Sequence, residues 1–106
     1  NNQLTSLPAL PAFLTYLNCD NNQLTSLPVL PNYMQQLSCT YNQLTSLPAL
    51  PDYPQNIWHM EIFFCSHNQL TSLPALPDSL HSLICDNNQL RWVLKIAFFY
   101  FELKKS

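Results

Sequence analysis

Four cysteines, three histidines and six carboxylates are the side chains in this 106-residue chain that could serve as nucleophiles, bases or metal ligands. A nucleophile needs a base held against it, and a metal needs several ligands converging on one point. The spacing supplies neither. Cys19, Cys39, Cys65 and Cys85 come singly, separated by 20, 26 and 20 residues, not as the paired C-x-x-C clusters of a zinc site. Cys19-Asp20 and Cys85-Asp86 put an acid beside a thiol, yet both cysteines share their place in the spacing with the other two, which favours a structural column over a catalytic pair. His67 and His81 fall on opposite sides of their segments, about 20 Å apart at ~3.3 Å per extended residue, and His59 lies elsewhere. No glycine occurs, so no glycine-rich phosphate cradle can form. Neither a metal, a cofactor nor a catalytic residue is expected.

What spaces the cysteines is an internal repeat. Asn-Gln-Leu-Thr-Ser-Leu-Pro opens at Asn2, Asn22, Asn42 and Asn68, and a shortened copy with only Asn-Gln-Leu opens at Asn88. Each cysteine stands three residues ahead of an Asn of this series. One full turn, Leu14-Thr15-Tyr16-Leu17-Asn18-Cys19-Asp20-Asn21-Asn22-Gln23-Leu24, follows the pattern L-x-x-L-x-L-x-x-N-x-L with Cys in the third apolar slot. The turns opening at Met34, Met60 and Leu80 follow the same template, with Phe63 replacing a leucine in the third of these four.

The elements follow from this template. Alternation around Leu17 and Cys19 predicts a short strand with those two side chains inward and Tyr16, Asn18 and Asp20 outward. Stacked in register, such strands make a parallel sheet. Leu27-Pro28-Val29-Leu30-Pro31 has two prolines three residues apart, which suits polyproline II and forbids a helix interior. The fold class expected is a leucine-rich repeat solenoid, with short parallel strands on a concave face and extended or polyproline II segments on a convex one. A single turn buries too little to offset its chain entropy, so neighbours must complete each other and the ends need caps.

Two columns are read as structural. Equivalent Cβ atoms of stacked strands lie about 4.8 Å apart, wider than the ~3.8 Å of a disulfide, so Cys19, Cys39, Cys65 and Cys85 are expected as buried reduced thiols, which favours a reducing compartment. Asn22, Asn42, Asn68 and Asn88 stand where the chain turns inward after each strand, and an amide there can satisfy backbone groups that no ladder covers.

The template breaks twice. Residues 54–59 are an insertion carrying Trp58, either a partner-binding bulge or an extension tolerated at a loop. From Arg91 the Thr-Ser-Leu-Pro element is lost, and 91–106 reads as a degenerate turn or a capping helix, so the array spans 1–90 with its first repeat incomplete.

Charge excludes some partners. Residues 1–90 carry five acids and no Lys or Arg, the four cations all lying between Arg91 and Lys105, so the repeats offer no basic face to nucleic acid. The apolar run 92–103 contains Lys95 and Glu102 and is shorter than the roughly 18 to 20 residues of a membrane span. The chain begins inside a repeat without a cleavable signal pattern and reads as a soluble piece of a longer protein.

The run Leu-Pro-x-Leu-Pro-x-x-Leu-x-x-Leu-x-Cys-x-x-Asn-x-Leu, at 7–24 and again at 73–90, resembles the 20-residue bacterial class of leucine-rich repeats found in the IpaH and YopM families of secreted effectors. The resemblance covers 1–53 and 60–90. It implies a curved array whose concave sheet binds a host protein after secretion into a host cytosol, and in IpaH-like members recognition of substrates for ubiquitin transfer. The helical cap and the cysteine-bearing catalytic domain of those ligases have no counterpart in this sequence.

The outward strand positions are the expected contact surface: Tyr16, Asn18 and Asp20 in one turn, Gln36, Ser38 and Thr40 in the next, then Ile62, Phe64 and Ser66, and finally Ser82, Ile84 and Asp86. Ile62, Phe64 and Ile84 would form an apolar patch, the kind of anchor that dominates interface energy. A structural or adhesion array without catalysis, a ligase recognition fragment, and a decayed sequence without selected function remain alternatives to a protein-binding module.

Overall fold

A computed structural model of the chain describes residues 2–50, 60–76 and 80–90. Four three-residue strands, β1 (Tyr16–Asn18), β2 (Gln36–Ser38), β3 (Ile62–Phe64) and β4 (Ser82–Ile84), form one parallel sheet in sequence order. The register keeps the template aligned. Leu17 pairs with Leu37, Leu37 with Phe63, and Phe63 with Leu83. Among the described residues no helix forms, and the Leu-Pro segments adopt neither helix nor strand, as their prolines require. The insertion 54–59 and the segment 91–106 lie outside the described residues.

The ladder of backbone hydrogen bonds runs well past the strands. Cys19 N donates to Ser38 O at 2.9 Å, Cys39 N to Phe64 O and Cys65 N to Ile84 O at 2.8 Å. Further on, Gln23 N reaches Leu4 O, Gln43 N reaches Leu24 O, Gln69 N reaches Leu44 O and Gln89 N reaches Leu70 O, all within 2.9 Å. The strands are short, yet each turn is tied to the next over most of the consensus.

Between these two ladders the chain bends, and there the asparagine column does its work. Asn68 Oδ1 accepts from Leu44 N at 3.0 Å, while its Nδ2 donates to Cys39 O, Cys65 O and Ser66 O at 3.0–3.1 Å. Asn42 repeats the arrangement with Leu24 N, Cys19 O and Cys39 O, and Asn88 with Leu70 N, Cys65 O and Cys85 O. Each amide therefore joins its own turn to the preceding one, and among the described residues no buried side-chain nitrogen or oxygen lacks a partner. Asn22, at the first turn, accepts from Leu4 N and donates to Cys19 O and Asp20 O.

The bend needs one residue with positive φ just before each asparagine. Asn21, Tyr41, His67 and Asn87 take it, at φ between 56° and 61°. In a chain without glycine, Asn and His are tolerated choices for this left-handed region, and Tyr is costlier by roughly 1 kcal/mol. The Tyr41 and His67 rings recover part of that cost by stacking on each other, with centroids 4.1 Å apart and planes within 6°.

The core is one row of columns: Cys19, Cys39, Cys65 and Cys85 inside, flanked by Leu24, Leu44 and Leu70, by Met34, Met60 and Leu80, and by Leu37, Phe63 and Leu83. All four thiols are buried and none is in a disulfide. Cys19 Sγ donates to Ser38 O at 3.5 Å and Cys39 Sγ to Phe64 O at 3.6 Å. Burial first, and the nearby Asp20 carboxylate second, push the Cys19 thiol from 9.0 up to about 11. Burial and the neighbouring thiols of the column push Cys39 higher still, as burial, Cys85 and Asp86 do for Cys65.

A pH dependence follows. These thiols hold their protons more tightly folded than unfolded, so their contribution is fully present below the unfolded value near 9 and is lost as pH rises through the folded values. Urea midpoints are expected to fall as pH is raised from neutrality to about 10, with the four thiols unreactive to alkylation at about pH 8 until urea unfolds the chain. A midpoint indifferent to alkaline pH would contradict this placement of the thiols.

A candidate protein-docking face on the sheet

The outward positions of the four strands form a small grid. Tyr16, Gln36, Ile62 and Ser82 make the first row; Asn18, Ser38, Phe64 and Ile84 make the second. Asp20, Thr40, Ser66 and Asp86 follow as a third row, two residues beyond. Side chains in a row are about 4.8 Å apart and rows about 6.6 Å apart. The register of the sheet sets the members of the first two rows side by side.

Not every position of the grid is open to a partner, because the third row is used internally. Ser66 is buried, and its hydroxyl donates to Asp86 Oδ1. Asp20 Oδ1 accepts from Ser38 Oγ at 2.7 Å and from Thr40 N at 2.8 Å. Asn18 Oδ1 accepts from Asp20 N at 3.0 Å. Past the last paired residues the Asp20 carboxylate takes up Thr40 N of the adjacent turn, and the Ser38 and Ser66 hydroxyls engage Asp20 and Asp86. Ser66 is thereby withdrawn from the contact surface, and Asp20, Ser38, Thr40 and Asp86 are oriented by their own neighbours.

The accessible part of the grid includes apolar and aromatic side chains beside polar ones. Tyr16 is 55% exposed and Ile84 48%, with Ile62 and Phe64 half-buried between them. Tyr16, Asn18, Asp20, Gln36, Ser38, Ile62 and Phe64 line a shallow depression of about 290 Å³ across β1, β2 and β3. The hydrogen bond from Ser66, chiefly, holds the Asp86 carboxyl below its usual range, so it is ionised at neutral pH at the far end of the face.

Sequence reasoning missed the column beside this grid. Tyr41 stacks on His67, and His67 Nε2 lies 3.3 Å from Asn87 Nδ2, so the residues of positive φ form a second, polar strip along the bend. The repeated Asn-Asn at 21–22 and 87–88 was the available signal, since Asn tolerates the left-handed region.

Among the described residues no cluster of His, Cys, Asp or Glu could hold a metal, and no helix is long and apolar enough to cross a membrane.

Comparison with known proteins agrees with this geometry. The Leucine Rich Repeat family model matches residues 13–34, one full turn. A solved structure of a Shigella effector leucine-rich repeat domain superposes with a TM-score of 0.76 at 43% identity, covering 83% of this chain. The match spans 38% of that domain's chain. No curated protein sequence matches. With the asparagine and cysteine columns, the parallel register and this neighbour together, the repeat region of this chain is a leucine-rich repeat array of the bacterial effector type.

Proposed function

We propose that the chain is a non-catalytic protein-binding module that docks a partner on the outer, concave face of its sheet. In this reading the Leu-Pro segments run as polyproline II on the convex side of a curved solenoid, setting the width of each turn. The observation that carries it is the apolar grid, exposed at Tyr16 and Ile84 and half-buried at Ile62 and Phe64, on a face where several polar groups are satisfied from within. Side chains in that position add nothing to the core, and rigid aromatic anchors in a shallow depression are typical of protein hot spots.

The partner is a host protein if the array acts as its effector relatives' architecture suggests, and the buried reduced thiols suit a reducing cytosol. A second reading, recognition of a ligase substrate by the same face within a longer protein, is favoured over an adhesion array by the likeness to an effector domain.

The test compares the chain with a Tyr16→Ala/Phe64→Ala double variant. Truncating two interface aromatics is expected to weaken a captured host protein's binding by roughly 100-fold or more. Both side chains lie outside the buried core, so the urea midpoint should shift little. Host proteins recovered equally by both forms would remove the sheet face from consideration.

A further inference from the structure

Among the described residues the acids are Asp20, Glu61 and Asp86, and none is lysine or arginine. One carboxylate belongs to the depression itself. Asp20 lines it at one corner, while Phe64 and Ile62 line it from β3, two strands away. The Asp20 carboxylate is also held in place: Ser38 Oγ and Thr40 N both donate to its Oδ1, which fixes the plane of the group on this face.

Resting on the reading of the sheet as a docking surface, we propose that the segment it binds carries an apolar side chain seated on Phe64 and Ile62 and a lysine or arginine received by Asp20. The grid sets their separation. Two strand spacings across and one row along place Asp20 about 12 Å from Phe64, from ~4.8 Å between strands and ~3.3 Å per residue along them. An extended segment advances about 3.3 Å per residue, so the cation falls three or four positions from the apolar residue. A preoriented carboxylate beside an apolar depression disfavours an acidic segment of the same shape by like-charge repulsion.

A random peptide library displayed on phage, selected against the 106-residue chain, tests this. Enriched sequences should place Lys or Arg three or four positions from Leu, Phe or Trp, and their binding should weaken as salt is raised. Asp20→Asn keeps the acceptor for Ser38 and Thr40 while removing the charge; it should weaken those peptides about 3- to 10-fold with an unchanged urea midpoint. Phe64→Ala should abolish them.

Peptides that lose binding in Phe64→Ala but are indifferent to Asp20→Asn and to salt would overturn the charge inference and leave the docking face standing. Peptides indifferent to both variants would overturn both.

Discussion

Asn68→Ala is expected to lower the unfolding free energy by about 3–5 kcal/mol, enough to unfold much of a short array. The side chain is 8% exposed and makes four hydrogen bonds, one accepted from Leu44 N and three donated to carbonyls of two different turns. Alanine leaves the Leu44 amide without its acceptor at a residue that is fully buried, and leaves the Cys39 and Cys65 carbonyls without this donor. Each unsatisfied buried group costs about 1–3 kcal/mol.

Asn68→Asp should be no better. A carboxylate can still accept from Leu44 N, but it cannot donate to the carbonyls and it adds a buried charge. Asn22→Ala is the internal comparison, because Asn22 is only half-buried and accepts from the exposed Leu4 N; about 1 kcal/mol is expected there. Urea unfolding with an unchanged slope measures all three. Equal losses at Asn22 and Asn68 would mean that the column does not bridge turns as described.

Phe63→Ala is the second large effect, about 3–5 kcal/mol for a fully buried aromatic reduced to a methyl. Phe63 is 0% exposed and pairs in register with Leu37 on one side and Leu83 on the other. In a stack where each turn touches only its neighbours, a cavity at β3 weakens both interfaces of that turn, so the loss is not local to one strand. Phe63→Leu restores the residue found at the same position in the other three turns and should cost about 1 kcal/mol. A calorimetric or urea measurement showing Phe63→Ala within a few tenths of a kcal/mol of the parent would contradict the burial of this column.

Most of the fold was legible because the repeat multiplies each signal. Cys19 alone says little, but four cysteines at a fixed offset from four asparagines define two vertical columns, and the structure buries all four cysteines together with Asn42 and Asn68. The strand positions followed from the alternation around Leu17 and Cys19. The internal use of the third row was not legible. Asp20, Thr40, Ser66 and Asp86 vary from turn to turn and look like free surface, yet their partners lie on the adjacent turn, 18 to 20 residues away in sequence, where local pattern does not reach. Tyr41 and His67 were obscured for a related reason: Tyr is not a usual choice for positive φ, and the two rings stack only across 26 residues of sequence.

Backbone amide hydrogen exchange at Leu24, Leu44 and Leu70 tests the account most directly. None of the three lies in a strand, and each donates its N–H to the side chain of an asparagine in the following turn. If the asparagine column locks the turns together, Leu24 and Leu44 will exchange as slowly as the paired amides of Cys39 and Cys65, and Leu70 nearly so, while Leu4 at the exposed end exchanges early. Exchange of all three at the rate of the exposed Thr-Ser segments that follow them would contradict it.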